Sequence, residues 1–157
     1  MDTRTRAATY EDVVRVAALL EEEGAEYALI GGYALALQGI VRLTEDVDIL
    51  VQPTLDNAER WVRALAKLPD GATKELIGDK TLHEEPYAIR VNDEFTIDVM
   101  NSASGLTWSE LVPYRRRIDG INVIALEGLF RMKQHGRLKD QADAEAIRKA
   151  LAKDEDE

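Results

Sequence analysis

The chain lacks cysteine and has only two histidines, His83 and His135, far apart in the sequence. The absence of thiols excludes disulfides, thiolate zinc sites and cysteine nucleophiles. Two distant histidines also argue against a metal centre built from imidazole groups. We therefore expect any bound metal to have oxygen ligands, which are the ligands that hard cations such as Mg²⁺ and Mn²⁺ prefer.

Long apolar runs are also absent, and the first residues lack the apolar core of a signal peptide, so we expect a cytoplasmic protein. Twenty basic and thirty acidic residues give a net charge of -10, which disfavours a long polyanion as the main partner. With 157 residues, 45% of them hydrophobic, the chain can form one domain with its own core. We expect this domain to span 1–151, followed by an acidic frayed tail at 152–157.

The spacing of apolar residues and the turn signals predict alternating helices and strands. Helices are expected at 9–23, 33–38, 55–68, 126–135 and 140–151. Strands are expected at 27–30, 46–51, 73–77, 87–91, 95–100, 115–118 and 121–124. This order predicts an α/β (α+β) fold with a mixed twisted sheet, a helical C-terminal segment, and helices on the face opposite the aspartates described next.

Two aspartates in the segment Asp46-Val47-Asp48-Ile49 are candidate metal ligands. Because side chains alternate along a strand, Asp46 and Asp48 should share one face while Val47 and Ile49 enter the core. Like charges so placed repel each other, and a divalent cation between them would relieve the repulsion. An acidic strand end that faces water is the alternative, and the pair alone does not decide between the two.

Asp98 is a third candidate, since it stands alone in an otherwise apolar predicted strand. If the strands are neighbours, the three carboxylates could bind two cations, with Asp98 placed to orient or deprotonate an attacking hydroxyl. Gly31-Gly32 lies between a predicted strand and a helix, where backbone N–H groups can approach a phosphate. The alternatives are an aspartate satisfied by solvent and a plain glycine turn.

The order of these elements is more specific than any one of them. The segment YALIGGYALALQGIVRLTEDVDIL resembles the signature of the nucleotidyltransferase superfamily related to DNA polymerase beta. The resemblance implies that Asp46 and Asp48 ligate metal ions, that Asp98 is the third acid, and that Gly31-Gly32 holds a triphosphate. Many members have Gly-Ser at the glycine pair, so here the phosphate contact would depend on backbone amides.

Further residues of the candidate site come from the same resemblance. Arg42-x-Thr44-x-Asp46 is similar to minimal bacterial members, which include abortive-infection-type toxins, and this similarity makes Arg42 and Thr44 nucleotide-binding candidates. In those toxin-like members a lysine of a basic-acidic motif contacts the nucleotide, which makes Lys133 and Lys139 candidates. The residues here that resemble that motif are Lys133, Arg137, Lys139, Asp140 and Asp143. A solvated helix face is the alternative for these charges.

The resemblance implies a metal-dependent enzyme that transfers a nucleoside monophosphate from a nucleoside triphosphate to an acceptor hydroxyl, with two Mg²⁺ or Mn²⁺ ions. The acceptor could be a protein, a tRNA end or a small molecule, and a toxin–antitoxin system would add a cognate antitoxin or other partner protein. One rival is a non-catalytic binding or regulatory subunit, against which the three aspartates argue. The other is a metal-dependent phosphodiesterase, against which Gly31-Gly32 before a helix argues.

Overall fold

The computed structural model describes residues 5–84, 88–133 and 138–155, and in the last range the side chains of 141–153. Its α-helices are α1 (Tyr10–Glu22), α2 (Gly31–Leu37), α3 (Leu55–Leu65), α4 (Trp108–Leu111), α5 (Leu126–Lys133) and α6 (Leu138–Glu155). Its strands are β1 (Tyr27–Ile30), β2 (Asp46–Val51), β3 (Ala88–Asn92), β4 (Thr96–Met100), β5 (Ser102–Ala103), β6 (Leu106–Thr107), β7 (Arg115–Ile118) and β8 (Ile121–Ile124). No helix in the described ranges is long and apolar enough to cross a membrane.

Six strands form one mixed sheet in the order β3-β4-β2-β1-β8-β7, and β5 and β6 form a separate hairpin. Strand β2 pairs in parallel with β4 and antiparallel with β1, and β1 pairs in parallel with β8. Helix α2 connects β1 to β2, and α3 lies on the connection from β2 towards β3 and β4. The structure therefore confirms the predicted α/β fold, a mixed sheet flanked by helices with a helical C-terminal segment.

The centre of the sheet is covered on both faces. All four side chains of β1 are at most 2% exposed, as expected of a strand with helices on either side. The prediction left open which face the helical C-terminal segment covers. Helix α5 lies on the aspartate side, where Leu129 and Met132 line a cleft together with Asp48.

The segment predicted as a strand at 73–77 is instead a 3₁₀ helix, Ala72–Leu76. Gly71 precedes it in a left-handed conformation, and the Asp93 carboxylate accepts a hydrogen bond from the Ala72 N–H at 3.0 Å. Thr73 is fully buried, and its hydroxyl donates to the Val62 carbonyl at 2.9 Å. These hydrogen bonds to other segments stabilise a short helix where the sequence pattern predicted a strand.

Several predicted boundaries also shift. Helix α2 begins at Gly31 rather than Tyr33, because β1 passes directly into it. Helix α3 ends at Leu65, and α6 runs from Leu138 to Glu155, so it enters the region expected to be a frayed tail. Position 135, the predicted end of the preceding helix, lies outside the described residues.

Candidate active site

Strands β2 and β4 bring the three predicted aspartates together. Their parallel register pairs Asp48 with Asp98 and Asp46 with Thr96. Along β2, Asp46 and Asp48 are partly exposed, while the residues that alternate with them are buried. The predicted alternation and the predicted adjacency of the two strands are both confirmed, whereas the catalytic and metal-binding roles of the aspartates stay predictions.

The surroundings of Asp48 disfavour the ionised form of its carboxyl group. Burial, followed by the negative charge of Asp98, a hydrogen bond with Asp98 and the charge of Asp46, raises the pKa of Asp48 to about 7. Lys133 acts in the opposite direction and lowers the pKa of Asp48. A carboxyl in this position holds its proton close to neutral pH unless a further cation balances it.

Arg90 is a site residue that the sequence analysis missed. It lies opposite Asp98 in the antiparallel pair of β3 and β4. Its Nε donates to Asp98 Oδ1 at 3.0 Å, and its Nη2 reaches Asp98 Oδ2 at 3.3 Å and Asp46 Oδ2 at 3.4 Å. The predicted strands 87–91 and 95–100 would pair Arg90 with Thr96, and the observed register is shifted by two residues, so the sequence did not indicate that Arg90 faces Asp98.

The chemistry of the aspartates fits a hard divalent cation, although the described residues contain no group of three or more acidic or histidine side chains already arranged to hold a metal ion. Carboxylate oxygens are the ligands that Mg²⁺ and Mn²⁺ prefer, and a cation would relieve the repulsion that raises the pKa of Asp48. Because Arg90 contacts Asp46 and Asp98, such a cation would have to displace its guanidinium group.

A cleft of 370 Å³ adjoins Asp46 and Asp48. Its wall contains every predicted nucleotide-binding residue except Lys139, whose side chain lies outside the described part of the chain. The residues brought together there are Gly31, Gly32, Arg42, Thr44 and Lys133. The cleft therefore has carboxylates and cationic side chains in the same wall.

The two glycines allow close packing within this cleft. Gly31 has φ +76, and a Cβ atom there would collide with the Asp48 carboxylate. A Cβ atom on Gly32 would lie 2.7 Å from the Cβ of Thr44. The Thr44 hydroxyl in turn donates to the backbone carbonyl of Asp46 at 3.3 Å. The glycine pair thus lets β2 and the loop before it approach α2 closely.

Asp143 of α6 contacts two of the predicted nucleotide-binding cations, Arg42 and Lys133. Arg42 Nη1 lies 2.6 Å from Asp143 Oδ1, and Lys133 Nζ lies 3.3 Å from Asp143 Oδ2. Asp143 is only 2% exposed, and it forms part of the wall of the cleft. The sequence placed Asp143 in a motif but gave no indication that Arg42, in a distant loop, is its partner.

A second cleft of 300 Å³ lies beside the first, and Gly31, Leu35, Asp48 and Lys133 line both. Its remaining wall is mostly apolar: Ile30, Met100, Ala103, Leu129 and Met132, with Ser102 and Ser104. A separate cavity of 210 Å³ between α3 and segment 76–82 contains none of the predicted site residues. The two adjoining clefts are therefore the candidate binding space.

The arginine run on β7 is occupied by contacts within the chain. Arg115 lies 2.7 Å from a Glu26 carboxylate oxygen and over the Trp108 ring, and Arg117 lies 2.7 Å from Glu21. These pairs neutralise much of the local positive charge. The run is therefore not a specific indication of nucleic-acid binding.

No protein-family model matches this sequence, and no curated protein sequence matches it. The structure is similar to the crystal structure of a proposed nucleotidyltransferase from Thermotoga maritima, with a TM-score of 0.57. The two chains are 20% identical, and the match covers 92% of this chain and 93% of the other. Similarity at this identity shows a nucleotidyltransferase-like fold, and the activity has to be argued from the site itself.

Proposed function

We propose that this protein is a nucleotidyltransferase that transfers a nucleoside monophosphate from a nucleoside triphosphate to an acceptor hydroxyl. The observation that carries the proposal is the register of Asp48 with Asp98 on neighbouring parallel strands, with Asp46 beside them. A cleft lined by Arg42 and Lys133 opens directly next to these carboxylates. Acids that can bind a metal and cations that can bind phosphate thus share one wall.

The cationic side of the cleft would bind the triphosphate. Arg42 and Lys133 would supply charge-assisted hydrogen bonds, and the backbone of Gly31 and Gly32 would let the phosphates approach without obstruction by side chains. Thr44 packs against Gly32 and fixes the loop that carries Arg42. Binding at this position would bring the α-phosphorus near the aspartates.

The acidic side would serve the transfer. Asp98 would orient the acceptor hydroxyl and accept its proton. The hydroxyl oxygen would form a bond to the α-phosphorus while the bond to the bridging oxygen breaks, and that electron pair would leave with pyrophosphate. Asp46, Asp48 and Asp98 would hold Mg²⁺ or Mn²⁺, which when bound supplies positive charge for the phosphate oxygens.

The test is incubation of the purified protein with each of the four α-labelled nucleoside triphosphates, Mg²⁺ and a cell extract. We expect label in a protein, a tRNA or a small-molecule fraction, which identifies donor and acceptor together. Asp98→Asn should abolish the transfer, while Asp70→Asn, which changes an exposed turn residue, should not. No transfer by the unaltered protein with any donor would refute the proposal, and degradation of labelled RNA instead would favour the phosphodiesterase alternative.

A non-catalytic nucleotide-binding subunit is the second candidate, and the contacts of Arg90 favour it. The Arg90 guanidinium already balances Asp46 and Asp98, so the acids have a counter-ion within the chain. Under this alternative the protein would bind a nucleoside triphosphate without turnover. Calorimetric binding together with absence of label transfer would distinguish it from the enzyme.

A further inference from the structure

Asp143 occupies a position on α6 that an apolar residue would normally fill. It is 2% exposed, and Ile147, one helical turn later on the same face, is fully buried. Glu145, which points away from this face, is exposed. Burial of a carboxylate is strongly unfavourable unless cations and hydrogen bonds compensate it. Packing alone therefore does not explain an aspartate at this position.

The compensating cations come from two other segments. Arg42 belongs to the loop between α2 and β2, and Lys133 is the last residue of α5. Both are within ion-pair distance of Asp143, at 2.6 Å for Arg42 and 3.3 Å for Lys133. Their side chains are 30% and 18% exposed, so each also faces the cleft. Asp143 therefore connects three parts of the fold at the point where the cleft is cationic.

The pairing is incomplete in a way that suits a further ligand. No described group donates a directed hydrogen bond to Asp143 Oδ1, even though Arg42 Nη1 is 2.6 Å away. The contact is thus an ionic approach through one nitrogen rather than the two parallel hydrogen bonds of a bidentate pair. A guanidinium group has five N–H donors, so most of the donors of Arg42 are not used by Asp143.

We propose that Asp143 is a positioning residue, which holds the Arg42 guanidinium and the Lys133 ammonium in the wall of the cleft so that both are oriented to bind a triphosphate. This inference rests on the proposed function, because it assigns the cleft to the triphosphate. Asp143 does not touch the substrate. Because Asp143 already restricts the two long cationic side chains, they lose less conformational entropy when phosphate binds.

The test uses inorganic tripolyphosphate as a probe in calorimetry, and the transfer assay for KM and kcat. Asp143→Asn should weaken tripolyphosphate binding by about tenfold or more, the loss expected for one ordered charge-assisted hydrogen bond. It should raise KM for the triphosphate more than it lowers kcat, and Asp143→Glu should restore part of the affinity. Glu145→Gln, on the same helix and ion-paired with the exposed Arg148, is the control and should change neither value.

A double-mutant cycle separates positioning from a general effect on the fold. If Asp143 acts through Arg42, the double variant Arg42→Ala/Asp143→Asn should bind tripolyphosphate no more weakly than Arg42→Ala alone. Should Asp143→Asn lose its folded state in a melting experiment, the same cycle is run with Asp143→Glu, which keeps the charge and displaces it by one methylene group.

Unchanged or tighter tripolyphosphate binding in a folded Asp143→Asn variant would overturn the inference. Tighter binding would mean that Asp143 competes with phosphate for the cations. An unaltered protein that binds no tripolyphosphate would overturn it as well. An unaltered protein that binds tripolyphosphate but transfers no nucleotide would refute the proposed function alone. The binding measurements on the Asp143 variants would still test whether Asp143 positions the two cations.

Discussion

Arg90 and Asp98 are direct neighbours across β3 and β4, and the Arg90 Nε lies 3.0 Å from Asp98 Oδ1. The same guanidinium reaches Asp46 Oδ2 at 3.4 Å. The hydrogen bond with Asp98, together with the negative charges of Asp98 and Asp46, raises the pKa of Arg90, so the group stays cationic. A fixed cation on two of the three acids must compete with any metal ion that binds there.

The first prediction therefore concerns Arg90→Ala, which should tighten Mn²⁺ binding several-fold because it removes the competing charge. Calorimetric titration of the protein with Mn²⁺ measures this directly. Arg116→Ala is the matched control, since Arg116 is an exposed arginine on β7 that donates to the backbone carbonyls of Pro113 and Arg115. Equal Mn²⁺ affinity in all three proteins would show that Arg90 does not compete with the metal.

The second prediction compares Asp46→Asn, Asp48→Asn and Asp98→Asn. Without metal, each variant should melt at the same temperature as the unaltered protein or slightly higher, because a like charge leaves a crowded face. The gain should be largest for Asp48→Asn, since Arg90 contacts the other two aspartates. With Mg²⁺ and a nucleoside triphosphate the order should invert, because ligand binding stabilises only a protein that can bind.

Transfer activity should fall by orders of magnitude in each of these three variants, and their combinations should be far from additive because the acids act as a unit. Full activity in one variant would remove that residue from the site. Full activity in all three variants would refute the proposed nucleotidyl transfer.

The third prediction is a pH dependence that arises from Asp48. Its pKa is raised to about 7 in the folded chain, mainly by burial and by Asp98. The folded state therefore binds more protons than the unfolded state between about pH 4 and pH 7, and the contribution of Asp48 to stability is lost as the pH rises through this window. Each unit of pKa difference corresponds to about 1.4 kcal/mol, so the total loss is at most about 4 kcal/mol.

Chemical denaturation of the unaltered protein and of Asp48→Asn between pH 4 and pH 8 measures this effect. As the pH rises, the unfolding free energy of Asp48→Asn should increase relative to that of the unaltered protein, because asparagine does not titrate. The titration of other groups contributes to both proteins and cancels in the difference. Saturating Mg²⁺ should reduce the shift, because a bound cation stabilises the ionised carboxylate. A difference that is constant across the range would contradict the assigned environment of Asp48.

The fourth prediction is that Arg42→Ala weakens binding of a nucleoside triphosphate by about 1.5–3 kcal/mol, the range for a hydrogen bond to a charged group. The fold should persist, because Asp143 keeps Lys133 as a partner. Calorimetry with a non-hydrolysable triphosphate analogue is the measurement. Arg131→Ala, which removes an exposed arginine that contacts Tyr114, is the control. Unchanged affinity in Arg42→Ala would remove Arg42 from the phosphate site.

The fifth prediction compares Gly31→Ala with Gly39→Ala. Both glycines have positive φ values, so both substitutions introduce backbone strain of about 1 kcal/mol. Only at Gly31 does the new Cβ atom collide with Asp48, whereas no atom lies within 4 Å at Gly39. Gly31→Ala should therefore lose transfer activity that Gly39→Ala keeps, although the backbone strain is common to both variants. Equal activity would show that the close contact with Asp48 is dispensable.

The elements that the sequence predicted well are those governed by neighbours along the chain. The alternation of Asp46 and Asp48 with buried residues follows from the period of a strand. The helix predicted from residue 9 forms as α1, with Thr9 as its N-cap and Asp12 completing a capping box. The strands predicted at 115–118 and 121–124 form a hairpin, and both turn residues, Asp119 and Gly120, have positive φ.

The errors have a common cause in contacts between distant segments. The strand expected at 73–77 became a 3₁₀ helix because Asp93 and Val62, in other elements of the fold, supply its hydrogen-bond partners. The sequence also did not indicate that α5 covers part of the aspartate face. Local propensity contains no information about such partners.

The sequence by itself determined the α/β class, the three carboxylates and their strands, because strand periodicity and hairpin register are local properties. Only the tertiary structure determines which cationic side chain pairs with which acidic side chain. Arg90 faces Asp98 and Asp46, while Arg42 and Lys133 converge on Asp143. The contacts of Arg90 depend on the pairing of β3, β4 and β2, and those of Asp143 depend on how the loop before β2 and the end of α5 pack against α6. Ion pairs form wherever the folded backbone brings opposite charges within a few ångströms, irrespective of their separation along the chain.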